Sequence, residues 1–120
     1  MADEKYEFCK IFVRAAEPPA VTGQLAELLG AQPQRRAFIL ADAIVDVLKN
    51  PDADLADDFI GWPTIVEVEA EPEASDRSIV ALTSRIVESL WDSGWPAVAA
   101  CDYEAELPWK GGLERLNQSG

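Results

Sequence analysis

The chain predicts an α+β fold of the ferredoxin-like type, βαββαβ, with one four-stranded antiparallel sheet and two helices on one face. The first observation is the stretch Phe59–Ala70, FIGWPTIVEVEA. Thr64, Val66, Val68 and Ala70 alternate with Ile65, Glu67 and Glu69, an apolar side against a mostly acidic one. The second is Asp76–Ser93, where Ile79, Leu82, Ile86 and Leu90 recur at helical spacing and Val87 and Trp91 widen the stripe. The third is the order of the segments: strand, helix, strand, strand, helix, strand. A strand with one apolar face needs pairing partners and a helix to cover that face, and this order supplies both.

In chain order, Tyr6–Arg14 (YEFCKIFVR) reads as a first strand, apolar on both sides apart from Lys10, as central strands are. Pro18-Pro19 reads as a stop and a turn. A short helix follows, capped by Thr22, ended by Gly30, with Leu25, Leu28 and Leu29 facing inward. Ala31–Arg36 is a loop around Pro33, and Arg35-Arg36 is a solvated turn. Ala43–Lys49 is β-branched and precedes a turn, which favours a second strand, while Ala37–Leu40 fits an extension of either the helix or the strand. Asn50–Asp58 is an acidic loop opened by Asn-Pro. Trp62-Pro63 sits at the start of the third strand, where proline is tolerated. Ser75 or Asp76 caps the long helix, Gly94 ends it and Pro96 prevents its resumption. Ala97–Tyr103 is the last strand, Glu104–Gly112 a loop carrying Trp109, and residues 113–120 a flexible tail after a single domain over 1–112. The expected spatial order is fourth, first, third, second. It makes the first and fourth strands neighbours, so Cys9 and Cys101 lie close if the register permits.

Composition narrows the function. A chain of 120 residues with 48% apolar content folds as one domain without needing a disulfide or metal. No apolar run approaches the roughly 18 residues of a membrane span. MADEKYEF has no basic segment leading into an apolar one, so the expected compartment is the cytoplasm. The net charge of −12 argues against nucleic acid and anionic membranes and favours either solubility alone or a basic partner. The two cysteines read as buried free thiols in a reducing compartment, where a disulfide is disfavoured although neighbouring strands would leave its geometry open.

The catalytic parts are missing. Without histidine, Ser-His and Cys-His pairs are excluded, and two cysteines make no zinc site. Neither a P-loop nor a GxGxxG motif occurs. The loop with Asp52, Asp54, Asp57 and Asp58 resembles a calcium loop only in its first two ligands. Ala56 replaces the next, Asp57 stands where glycine is required and Pro63 replaces the terminal glutamate. The expectation is no enzyme, no catalytic residues, no metal and no cofactor.

Three stretches carry a resemblance: AACDYEAELPWKGG over Ala99–Gly112, FIGWPTIVEVE from Phe59, and KNPDAD from Lys49. With Asn50, Asp52, Phe59, Trp62, Cys101, Asp102, Glu104, Glu106, Leu107, Pro108, Gly111 and Gly112 at the matching positions, the second half of the chain resembles a family of small acidic proteins of actinobacterial type. That family is similar to the immunity partners of bacterial polymorphic toxins, which implies an inhibitor of a basic toxin and no catalytic residue.

Two readings of function follow. In the first, the chain is a non-catalytic acidic module that binds a basic protein. Glu67, Glu69, Asp102, Glu104 and Glu106 then supply the acidic face, and Trp62 and Trp109 are either anchors within it or core packing at the sheet ends. In the second, it is a small-molecule-binding or regulatory module, either monomeric or paired into a homodimer through the small-residue edge strand Ala97–Cys101.

Overall fold

The computed structural model describes residues 4–118. One antiparallel sheet is built from β1 (Phe8–Val13), β2 (Ala37–Ile39), β3 (Ala43–Lys49), β4 (Thr64–Ala70) and β5 (Ala97–Ala100) in the order β2-β3-β4-β1-β5. The four expected strands stand in the expected order with β1 and β4 central, but the sheet has five strands rather than four. The addition is β2, which pairs with β3 as Phe38 opposite Val45. The run AFIL is too short to sustain a helix alone. Pairing instead satisfies its backbone and buries Phe38 completely.

Three helices accompany the sheet: α1 (Pro18–Leu29), α2 (Asp76–Asp92) and the short α3 (Leu113–Gln118). The proline pair does not stop the chain but opens α1. Pro18 and Pro19 occupy its first turn, where the missing N–H groups have no intrahelical role. Gly30 closes α1 at φ +61°, its N–H bonded to the Ala26 carbonyl. Ser75 caps α2 by accepting from the Ser78 N–H at 3.1 Å. The stripe Ile79, Leu82, Ile86, Val87, Leu90 and Trp91 is buried as its spacing requires. It packs with Val21 and Leu25 of α1 on the sheet face that presents Cys9, Ile11, Val13, Val45, Val47, Val66, Val68, Ala97 and Ala99.

Two segments depart from the expected strands. Phe59–Gly61 is a 3₁₀ turn capped by Asp58, and β4 begins only at Thr64. Asn50 organises the acidic loop before it. Its buried amide donates to the Ile60 and Trp62 carbonyls, both at 2.7 Å, and its Oδ1 accepts from the Asp52 N–H. The last strand stops at Ala100 instead of reaching Tyr103. There the Cys101 N–H turns to the Glu104 carboxylate at 3.3 Å and the Glu104 N–H to the Cys101 carbonyl. Leu113–Gln118, where the composition suggests a tail, is helical; residues 119–120 lie outside the described residues.

Candidate functional site

The sheet face away from α1 and α2 is organised in cross-strand rows. Leu48, Ile65, Phe12 and Val98 form one row. Phe59 packs edge-on to Phe12 there, with ring centroids 5.5 Å apart, and Trp62 packs edge-on to Phe59. The next row is charged: Asp46, Glu67 and Lys10 stand side by side, and Arg36 reaches Asp46 at 4.0 Å. The third row is Ile44, Glu69 and Phe8.

Beyond that third row lies an open groove of about 1000 Å³, between the start of β1, the end of β4 and the start of α2. Five carboxylates line it, Glu7, Glu69, Glu71, Glu73 and Asp76, around an apolar floor of Phe8, Ile44 and Pro72. Neither lysine nor arginine contributes to the lining among the described residues. Its rim is tied down by backbone bonds from Ala70 N–H to Glu7, from Glu71 N–H to Asp42 and from Ala74 N–H to Glu71. Phe8 remains 44% exposed, a large apolar side chain presented to solvent inside an acidic frame.

Comparison with protein-family models, curated proteins and solved structures finds no match for this chain.

The seven residues singled out from the sequence fall in three places. Glu67 and Glu69 share the open face, but only Glu69 lines the groove, because Glu67 sits opposite Lys10 in the middle row. Trp62 is half-buried at the Thr64 end of β4, the end remote from Phe8. Asp102, Glu104, Glu106 and Trp109 belong to the segment after β5. Glu7, Phe8, Ile44, Glu71, Glu73 and Asp76 were missed, although EAEPEASD over residues 69–76 carries four of the carboxylates in one acidic run.

The segment after β5 is held by a chain of polar contacts. The Tyr103 hydroxyl meets Thr83 Oγ1 at 2.9 Å inside the core, and the Tyr103 ring stacks on Tyr6 at 5.4 Å. The Tyr6 hydroxyl donates to Glu106 Oε2 at 2.6 Å, and Lys5 Nζ lies 3.2 Å from the same oxygen. The Tyr6 hydrogen bond, with Lys5 beside it, holds the Glu106 carboxyl below the usual carboxylate range. Burial pushes the Tyr103 phenol far up, so it stays protonated. These contacts fix the segment's position, and they engage Glu106 and part of Glu104 in the fold itself. Trp109 projects from it half-exposed, on a left-handed backbone. Among the described residues, no group of three His, Cys, Asp or Glu side chains is placed to hold a metal ion, and no helix is long and apolar enough to cross a membrane.

Proposed function

We propose that this chain is a non-catalytic protein-binding module of a cytoplasmic setting, in which a ferredoxin-like core with one added edge strand presents an acidic groove to a basic protein. An immunity-type inhibitor of a basic bacterial toxin is the reading we favour. The observation that carries it is the lining of the groove, five carboxylates around Phe8, Ile44 and Pro72 without a compensating cation among the described residues. Carboxylates in such a frame attract Lys and Arg from a distance and accept their hydrogen bonds at contact. The apolar floor offers area for the side-chain stems. With a net charge of −12, the whole surface adds to the steering field.

The alternative, a regulatory or small-molecule-binding module that dimerises through β5, meets a physical obstacle. The outward carbonyl of Ala97 already accepts from Trp91 Nε1 at 3.0 Å. Gly111 and Gly112 pack against the Ala99 and Ala97 carbonyls. A second copy pairing there must displace the chain's own cover.

The test is affinity capture from a host lysate at low and high salt, run in parallel with the reversal Glu69→Lys/Glu71→Lys/Glu73→Lys. We expect a basic protein that wild type retains at low salt and that both high salt and the reversal release. Equal recovery by wild type and variant sinks the groove as the binding surface. Recovery of no basic protein by wild type sinks the inhibitor reading.

A further inference from the structure

We propose that Cys9 and Cys101 form a reversible dithiol–disulfide pair, a redox site that ties the segment after β5 to the central strand β1. The sheet register carries the inference. Lys10 pairs with Ala100, Ile11 with Ala99 and Val13 with Ala97, so one further step sets Cys9 opposite Cys101. Arg14 N–H bonds the Pro96 carbonyl at 2.9 Å. Counting back from that bonded pair, the ladder continued one residue past the end of β5 would put Cys9 and Cys101 in a non-hydrogen-bonded position, where antiparallel Cα atoms approach to about 4.5 Å. That is inside the span of roughly 4.4–6.8 Å that a disulfide bridges. Both side chains belong to the helix-covered face, where Cys9 sits in the core and Cys101 packs against that core, and both are free thiols.

The two thiols are unequal in a way that suits sequential exchange. Cys9 is fully buried, whereas Cys101 is only partly buried at the sheet end. Hydrogen bonding from Cys9 lowers the Cys101 thiol, while that same contact, together with burial, raises Cys9. With a small disulfide such as oxidised glutathione as oxidant, the Cys101 thiolate attacks one sulfur. The glutathione S–S bond breaks and one glutathione thiolate leaves with the electron pair. Cys9 then attacks the Cys101 sulfur of the mixed disulfide, and the second glutathione thiolate leaves. Two protein thiols are oxidised, one small disulfide is reduced to two thiols, and the two protein protons end on the departing sulfurs. The bridge closes a loop over most of the chain, so its expected effect is a rise in Tm of about 10 °C.

The experiment incubates the reduced full-length chain with oxidised glutathione, then alkylates it in denaturant and weighs it without reductant. We expect a monomer lighter by two hydrogens, both cysteines refractory to iodoacetamide, the rise in Tm, and reversal by dithiothreitol. Cys9→Ser or Cys9→Ala should stop at the glutathione adduct on Cys101, and Cys101→Ser should take no adduct. The proposal is overturned if wild type stops at the mixed disulfide, cross-links into dimers or keeps both thiols free. The wild-type readout needs no variant to fold, and it is independent of the binding reading.

Discussion

At the scale of residues, the buried hydroxyl pair Thr83–Tyr103 has the largest consequence. Neither group meets water, so removing one partner costs the other a hydrogen bond that solvent does not replace. Thr83→Val should cost about 2 kcal/mol in urea unfolding, and Thr83→Val/Tyr103→Phe should recover most of it. A double variant as unstable as the sum of the singles would contradict this. The Tyr6–Glu106 bond makes a different prediction, one of pH. Glu106 is lowered in the folded state, so its contribution is present above the ordinary carboxylate range and is lost as pH falls through the folded value. The Tm gap between wild type and Tyr6→Phe should therefore be widest near neutral pH and narrow in acid. A side-chain NMR titration should show Glu106 returning toward the ordinary range in Tyr6→Phe.

At the scale of elements, the segment Trp109–Gly112 shows how an edge strand is closed from within the chain. Trp109, Lys110, Gly111 and Gly112 all have positive φ, from +51° to +108°. That backbone lets two glycines lie against β5, where a Cβ on Gly112 would stand 2.3 Å from the Ala97 carbonyl oxygen. Gly112→Ala should therefore destabilise by more than about 2 kcal/mol. Lys110 holds its left-handed conformation with a side chain that only reaches Glu114 at the surface, 4.0 Å away. Lys110→Gly should relieve that strain and stabilise by about 1 kcal/mol. Thermal melts of the two variants shifting in the same direction would refute this account of the segment.

At the scale of the whole molecule, charge decides the response to salt. Twenty-two acidic residues against ten basic ones repel one another within a small volume. The ion pairs Lys5–Glu106, Arg36–Asp46 and Lys110–Glu114 are at the surface, so screening them loses little. Raising sodium chloride from about 10 mM to about 0.5 M should thus raise Tm by a few degrees. A fall in Tm over the same range would mean that attractive pairs outweigh the repulsion.

By itself, the sequence determined the α+β class, the long helix α2, the existence of a helix ending at Gly30, the order of four strands and the acidic character, because each depends on periodicity, caps or composition along a contiguous stretch. The stripe of α2 and the alternation of β4 were legible for that reason. Only the tertiary structure decided the rest. Pro18-Pro19 became the start of a helix because the first turn has no use for their missing N–H groups. Ala37–Ile39 became a strand because β3 offered a free edge. Glu67 and Glu69, two residues apart and on one face, separated in role because only one of them has a lysine opposite it on the neighbouring strand. The groove and the thiol pair are made by residues that meet across strand register, and register is a property of the assembled sheet that no single stretch of the chain contains.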